Sequence, residues 1–596
     1  MCGIAGIIGD FDTCQLDAML LSQHHRGPDA TGKYNDGNFA ALGHNRLAII
    51  DLTPQSNQPF LDPSERYVLV FNGEIYNYIE LKAELDGHYT FKTDSDTEVL
   101  LAAFIIYGNQ CLQKLNGMFS FAIWDNQDKK LFAARDRFGV KPFFYSFKNN
   151  SFYFSSEIKA LHAAGISRIP NEKVWASYFA YGSYGNPDET FWEDILQLPG
   201  GYFLSFTLPL DKMGTGLVEG GLRQAQSDIV PQVQSDLTIE KWYFFEEEVA
   251  KQPKNLTFEQ AKEHYVTLLK DSIDLRFRAD VPVGFNISGG LDSSVLLALV
   301  NNNNNNNSIN AYTFYTDNPA YDELPWVEMM VAKTKNPLTK VLLRADEVPD
   351  FAQKMEGQQD EPYGGVPTLA YAKIFQQARK DNVLVLLDGQ GMDEQWAGYD
   401  YYTQENDATI QGVTDSPFKR NMLTDAFLAK AEKPIYPKPF ADAILNKQYR
   451  DLFYTKIPRA LRFNDRISML FSTELREPFL DYRLVEFAFS LPLDFKIRNG
   501  QTKFMLREIA SEYLADDLVF APKRPVQTPQ REWLAEDLKQ WVSQCFAAIE
   551  NSSFLECFNK EELKKELQAY FEGNIQSSFH IWQCISWYEM MQTIEA

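Results

Sequence analysis

Positive charge is in short supply in this chain: 57 lysines and arginines stand against 81 aspartates and glutamates, a formal charge of −24 at neutral pH. That deficit argues against a nucleic-acid partner, which selects for a basic face, although local basic pockets remain compatible with it. Cysteine is sparse as well. The six residues at positions 2, 14, 111, 545, 557 and 584 include no CxxC pair, so neither a disulfide framework nor a thiolate zinc centre is expected. Seven histidines, of which only His24 and His25 are adjacent, give no HExxH spacing, and a metal, if there is one, is expected on oxygen ligands. No run of about eighteen apolar residues occurs, and the first residues lack a basic stretch followed by an apolar core. Neither a membrane span nor a signal peptide is expected, and the expected location is the cytoplasm.

Apolar material is ample, with 45% hydrophobic and 14% aromatic residues in 596. A chain this long should hold two or three domains. Up to about Thr207, short runs such as Tyr67-Val68-Leu69-Val70-Phe71 and Met118 to Trp124 alternate with turn residues, which predicts a sheet-dominated domain. Between Pro209 and Leu237 the composition shifts to Gly, Gln, Ser and Asp, read as an exposed loop or linker. Thr257-Phe258-Glu259-Gln260 has capping-box form, and Tyr265, Val266, Leu268, Leu269, Ile273 and Leu275 predict a helix with a buried stripe. Strand-like runs then alternate with helical ones, at Val281 to Ile287, from Leu291, at Ala311 to Tyr315 and at Val383 to Leu387, which implies a parallel sheet covered by helices. Past about Gly398 the pattern is mostly helical, with Trp533, Trp541, Trp582 and Trp587 available for packing. The asparagine run Asn301 to Asn307 is read as a solvated loop without a binding role. The expected division is 1–207, a linker at 208–238, and 239–596.

The chain begins Met1-Cys2-Gly3-Ile4-Ala5-Gly6. Removal of Met1, expected before a small residue, would leave one residue with a thiol and a free α-amine that titrates near about 8, a nucleophile with its own general base. The same run reads equally well as the buried start of a first strand, with Cys2 a small apolar group. Other features bear on that choice. His25-Arg26-Gly27-Pro28-Asp29, His44-Asn45-Arg46-Leu47-Ala48-Ile49, Asn72-Gly73-Glu74-Ile75-Tyr76-Asn77 and Ser95-Asp96-Thr97-Glu98 each set polar groups among turn-formers or beside apolar runs. Taken singly these are turns and surface pairs, and Asn-Gly is a common hairpin turn. A substrate that carries an amide and an α-amino acid head needs a guanidinium, carboxylates and amide donors. Arg46, Glu74 with Asp96, and Asn72 with Gly73 would supply them in turn.

With Cys2, this set resembles the class II glutamine amidotransferase domain, an N-terminal-nucleophile hydrolase of αββα form. The resemblance extends through Ala134-Arg135-Asp136-Arg137-Phe138-Gly139-Val140-Lys141-Pro142 and Ser155-Ser156-Glu157-Ile158-Lys159-Ala160. It implies Cys2 as nucleophile, Arg46, Glu74 and Asp96 as glutamine ligands, and Asn72 with Gly73 as both glutamine contacts and oxyanion hole.

In the second half, Ser288-Gly289-Gly290-Leu291-Asp292-Ser293-Ser294 lies where an apolar strand gives way to a helix. Glycines let the backbone turn around phosphate oxygens, hydroxyls add donors, and the helix start favours negative charge. The loop lacks the lysine of a Walker A motif and has the SGGxDS form of an ATP pyrophosphatase loop, the alternative being a helix-capping turn. A second loop, Leu387-Asp388-Gly389-Gln390-Gly391-Met392-Asp393-Glu394, also follows an apolar strand, and ligands collect at such ends of a doubly wound sheet. Its GxG falls short of a dinucleotide fingerprint. Asp292 and Asp393 would hold magnesium, which takes one or two carboxylates beside water and phosphate.

With Arg462-Phe463-Asn464-Asp465-Arg466-Ile467-Ser468-Met469, the stretch Arg476 to Glu486, and Lys503 before Leu506-Arg507, the chain resembles the glutamine-hydrolysing asparagine synthetases over nearly its whole length. The resemblance implies ATP at Ser288, Gly289, Gly290, Asp292, Ser293, Ser294, Asp388 and Gly389, with magnesium. It further implies side-chain adenylation of aspartate, attack by ammonia delivered through an internal tunnel, and a Lys503 that stabilises departing pyrophosphate. One position departs from it: Gln390 stands where many members have glutamate for the adenylate step, and an amide is no base, so Asp393 and Glu394 are both candidates for the proton. Aspartate is the expected acceptor, with a sugar uronate or natural-product carboxylate as the alternative. A free glutaminase or a non-enzymatic storage protein fits less well, because both motif sets are intact. The expected fold is an αββα sandwich followed by an α/β doubly wound domain with a helical C-terminal part; a homodimer is an open expectation.

Overall fold

The computed structural model describes residues 1–208, 237–304, 308–405, 410, 416–521, 528–575 and 577–595. Residues 209–236 of the expected linker and 305–307 of the asparagine run lie outside them. The chain forms two compact units. The first comprises Met1–Ser167 with Asp194–Tyr243, the second Arg168–Glu193 with Phe244–Ala596.

Two antiparallel sheets of six strands make the first unit. One runs in the order Leu196–Gln197, Phe144–Lys148, Ser151–Ser155, Gly3–Ile8, Ala40–Arg46, Ala30–Asn35; the other Leu237–Lys241, Tyr202–Thr207, Lys130–Arg135, Gly117–Asp125, Tyr67–Ile75, Phe60–Leu61. Alternate residues of each strand face inward, because successive side chains of a strand point to opposite sides. Ile4, Ile8, Leu42, Phe152 and Phe154 of one sheet thus meet Val68, Val70, Trp124, Leu131, Leu204 and Phe206 of the other in a single core. Helices cover the outer faces. Thr13–Ser22, opened by an Asp12/Gln15 capping box, packs on Gly3–Ile8 and Ala40–Arg46, while Asp96–Tyr107 lies against Tyr67–Ile75. The layering is αββα, as expected.

In the second unit five strands form a wholly parallel sheet in the order Leu338–Leu343, Ala311–Thr316, Val283–Asn286, Val385–Leu387, Glu474–Arg476. The central strands are apolar and buried, with Phe285, Tyr312 and Val385 to Leu387 almost without exposure, because helices cover both faces. Chain order reverses between Val283–Asn286 and Val385–Leu387. The loops after these two neighbours therefore open side by side, at the place where doubly wound sheets bind ligands.

Some features differ from the sequence expectation. The compact units are drawn differently from boundaries at 207 and 239: strand Leu237–Lys241 pairs with Tyr202–Thr207 and belongs to the first unit. Helix Glu172–Tyr181 belongs to the second, because Trp175 meets Trp587 at 4.6 Å and Phe179 meets Phe558 at 5.2 Å between ring centres. Asn301 to Asn304 are not loop but the last turn of helix Leu291–Asn304, where the Asn301 amide donates to Asn336 Oδ1 at 2.6 Å and Thr334 O at 3.2 Å. A side chain that satisfies neighbouring backbone extends a helix which composition alone would end. Glu474–Arg476 is a strand inside a stretch read as helical; its two charges pair with each other at 2.5 Å, fully buried.

Among the described residues no helix is long and apolar enough to cross a membrane. Within one sheet the Phe154 ring lies over its cross-strand neighbour Gly6, where a Cβ would collide with it, and Phe154 stacks on Phe143 at 5.3 Å. Phe154→Ala should therefore leave a cavity and cost about 3–5 kcal/mol, measured as a lowered denaturant midpoint for the unfolding of the first unit.

Candidate active sites

In the first unit, the register of Gly3 opposite Asn45 sets Cys2 beside Arg46. Both ends of the Cys2 backbone are held: its N–H donates to Asn72 Oδ1 at 3.0 Å, and its carbonyl accepts from Arg26 Nε at 2.9 Å. The thiol faces Leu47 O at 3.9 Å. Burial pushes the Cys2 thiol up, with the terminal amino charge and Arg46 pulling it down, and Glu74 adding to the rise. Such a thiol needs a base to become a nucleophile.

Arg46 is buried, and its guanidinium donates to Thr53 O and Asn57 Oδ1 at 2.8 Å, to Ile50 O at 3.3 Å and to Asp51 O. All four acceptors are neutral. They aim the fork without cancelling its charge, as a carboxylate-binding site requires. Asn72, Gly73 and Glu74 end strand Tyr67–Ile75. A Cβ on Gly73 would collide with Met118 O, so only glycine permits the two strands to approach there. Asp96 opens helix Asp96–Tyr107 under a Ser95 cap, and its Oδ2 accepts from Ile75 N at 2.9 Å, which ties it to the residue after the buried Glu74. His44, held at about 3 by burial and bonded to Phe71 O at 3.1 Å, is neutral at physiological pH.

Ser156 and Glu157, which have no role in the sequence analysis, are each linked to Cys2 through one intermediate residue, Asn72 and Arg26 respectively. Ser156 Oγ accepts from Ile4 N at 3.0 Å and faces Asn72 Nδ2 at 3.5 Å, while Glu157 pairs with Arg26 at 2.9 Å. Their signal was the motif around Ser155, which has no periodicity to explain its polarity.

In the second unit, the two loops at the strand reversal lock together. Asn286 Nδ2 donates to Asp388 Oδ2 at 2.7 Å, and a Cβ on Gly389 would press on Ser293 N at 3.1 Å. Ser293 Oγ donates to Ser288 O at 2.8 Å, and the Gly290 amide donates to Ser288 Oγ at 3.3 Å. Gly289 N–H donates to the Glu323 carboxylate at 3.3 Å, so the loop's amide is already aimed at an anion. Ser294 is buried in the first turn of the following helix.

Lys503 Nζ lies 2.7 Å from both oxygens of Asp292 and 2.7 Å from Asp393 Oδ1. Burial works to lower the lysine, but the two carboxylates outweigh it and hold it up at about 12. Lys503 itself has a left-handed backbone, φ 56°, and its N–H donates to Trp396 O at 3.1 Å. Gly398 was not singled out from sequence, yet a Cβ there would collide with Asp393 Oδ1 and Lys503 Cε. Two carboxylates that converge on one cation are an oxygen-donor pair suited to magnesium with phosphate and water, so the residues fit that ion. Among the described residues no group of three or more His, Cys, Asp or Glu side chains is placed to hold a metal by protein ligands alone.

Gln390 follows Asp388 and Gly389 in the same loop and is half-buried. Glu394 is fully buried, accepts from Tyr399 Oη at 2.8 Å, and is raised well above the usual carboxylate range by burial and by Asp393. Asp388 is raised to about 6, chiefly by burial, against the hydrogen bonds from Asn286 and the loop amides.

Comparison with known proteins gives matches to both units. Residues 1–211 match the glutamine amidotransferase domain model and residues 264–594 the asparagine synthase model. The chain is similar to glutamine-hydrolyzing asparagine synthetase 1 of Bacillus subtilis, 26% identical over 98% of this chain and 95% of that one. It is 29% identical to synthetase 3 of the same organism over 91% of this chain and 89% of that one. A protein named amidase chry2, from Gibberella zeae, is 24% identical over 92% of both chains.

A pH prediction follows from Asp388. A carboxyl held at about 6 rather than 3.8 keeps its proton longer in the folded chain than in the unfolded one, so folding stability falls as pH rises through that window. Asp388→Asn should stabilise the second unit by about 3 kcal/mol at pH 7 or above and by nothing below pH 4, read from thermal midpoints at the two pH values.

Proposed function

Because this chain belongs to the asparagine synthase family, whose model spans residues 264–594, we propose that it is an ATP-dependent ligase that takes nitrogen from glutamine in its first unit and converts a carboxylate to its amide in its second. The observation that carries the reading is the presence in one chain of both sets: Cys2 held by Asn72 beside a charge-bearing Arg46, and Lys503 held by Asp292 and Asp393.

With Met1 removed, the Cys2 amine takes the place of the peptide N–H on Asn72 Oδ1. The thiol attacks the side-chain carbonyl of glutamine and its proton passes to the amine, which offsets the penalty that burial places on the thiolate. Arg46 pairs with the α-carboxylate of glutamine, and Glu74 and Asp96 with its ammonium. Asn72 Nδ2, whose contact to Ser156 is long, and the Gly73 amide donate to the tetrahedral oxyanion. Ammonia leaves with the proton, and water hydrolyses the thioester.

In the second unit, Ser288, Gly289, Gly290, Ser293 and Ser294 grip the β and γ phosphates of ATP at a helix start, with Asp388 and Gly389 closing the loop. Asp292 and Asp393 would hold magnesium, which neutralises phosphate charge. The acceptor carboxylate attacks the α phosphate to form an acyl-adenylate and pyrophosphate, and Lys503 offsets the charge that develops on the leaving group. Ammonia then attacks the acyl carbon and releases AMP. Glu394, which burial and Asp393 make a weaker acid and so a better proton acceptor than an ordinary carboxyl, is the candidate to accept one where Gln390 has no basic atom.

Aspartate is the acceptor we favour. Gln390 and the likeness to a protein named as an amidase favour a second reading, in which the acceptor is another carboxylate, such as a sugar uronate or a natural-product precursor. One assay separates the readings: glutamine, ATP and magnesium with a panel of carboxylic acids. AMP and pyrophosphate should be released only with the right acid, and the appearance of ADP, or indifference to every acid, would refute the ligase. Cys2→Ala should abolish glutamine-driven turnover and spare turnover with ammonium, whereas Lys503→Met should abolish amide synthesis and spare glutamine hydrolysis. If aspartate is inert with wild type and with Gln390→Glu alike, the second reading stands.

A further inference from the structure

Glu157 is a heavily paired carboxylate near Cys2. Fully buried at the turn from strand Ser151–Ser155 into helix Ile158–Ala163, it meets His25 Nε2 at 3.0 Å, Arg26 Nη1 at 2.9 Å and Lys159 Nζ at 2.6 Å. Burial would raise it, but His25, Lys159 and Arg26 together hold it well below the usual carboxylate range. A buried ion pair is a poor way to gain stability, because desolvation cancels most of the attraction. The arrangement has a direction instead. Arg26 is wholly buried, and with Nη1 fixed on Glu157 its Nε donates to the Cys2 carbonyl at 2.9 Å.

The adjoining residue completes a ring. Ser156 Oγ faces Asn72 Nδ2 at 3.5 Å, and the same amide presents Oδ1 to Cys2 N at 3.0 Å. The Ser156-Glu157 turn thus reaches Cys2 from both sides, through Asn72 to its nitrogen and through Arg26 to its oxygen. Once Met1 is gone, Cys2 is a chain end whose next amide, that of Gly3, begins the strand. Two anchors fix the plane about its Cα, and so the direction in which thiol and amine point; either anchor alone leaves rotation.

We propose that Glu157 is a positioning residue for the glutamine-cleaving nucleophile, acting through Arg26 on the carbonyl of Cys2. It touches neither substrate nor reacting atoms. The inference rests on the proposed glutamine-hydrolysing function.

The test uses the full chain with two variants, Glu157→Gln and Arg26→Met, and measures glutamine hydrolysis and ammonium-driven turnover in each. Misorientation of a nucleophile by about an ångström costs about 100-fold, so kcat for glutamine should fall by about that factor with KM within about threefold, the signature of an interaction that serves the transition state. Ammonium-driven turnover, which does not use Cys2, should persist. Arg26→Met leaves Glu157 paired with His25 and Lys159, so it keeps the test open if Glu157→Gln fails to fold. A folded variant of either kind with wild-type kcat overturns the proposal, as does a rise in KM alone. Loss of both activities in both variants assigns the pair to the fold and also overturns it. A wild-type enzyme without Cys2-dependent glutamine hydrolysis removes the functional reading itself, and the positioning role with it.

Discussion

An ammonium held between two carboxylates, Lys503 with Asp292 and Asp393, is the constraint on which the second unit turns. Unit charges about 4 Å apart attract by about 4 kcal/mol at the effective dielectric of a protein surface, and desolvation of a buried lysine costs several. One carboxylate would roughly offset that cost; two exceed it. The three residues come from the helix after the first loop, the short helix after the second, and the segment before Phe504–Ala510. Their attraction therefore fixes at one point three parts of the chain that are far apart in sequence. A left-handed lysine and a glycine with no room for a Cβ are local costs that the junction imposes and the surrounding packing sustains.

The first unit reaches the same end by opposite means. The buried cation Arg46 is aimed by neutral oxygens, so its charge is not cancelled by them. The Cys2 thiol is raised by burial, so reactivity must come from an adjacent base. The rigidity comes from two stacked sheets with a shared core. Strands that end at Arg46 and Ile75 bring the guanidinium, the amide and the carboxylate of Glu74 to one end of the sandwich.

Much of this was legible in the sequence where local rules and global fold agree. Alternating apolar residues announced the sandwich, and glycine-rich runs after apolar strands marked the two loops that the sheet brings side by side at its strand reversal. The misses have physical causes. Glu474–Arg476 is charged at both ends, and it serves as an edge strand beside Val385–Leu387 because the two buried charges pair with each other and Arg476 also donates to Arg276 O and Arg278 O. Asn301 extends a helix because its amide finds partners 33 and 35 residues away. Helix Glu172–Tyr181 joins the second unit through aromatic contacts with the far end of the chain, which no window of sequence could reveal. Among candidate site residues, Cys2, Arg46, Asp292 and Asp393 were visible because the proposed chemistry requires their residue types. Glu157, Glu323 and Gly398 were not, because they act through a partner or through the space they leave.

The central claim is that the second unit joins a carboxylate to AMP before nitrogen arrives. The most direct test supplies the acid that supports turnover with both carboxylate oxygens labelled as oxygen-18, and follows the label by mass spectrometry. Adenylation transfers one labelled oxygen from the acid to the phosphoryl group of AMP, so AMP should gain one heavy oxygen per amide formed. Label that remains wholly in the amide and unreacted acid, or that appears in inorganic phosphate, would contradict the account.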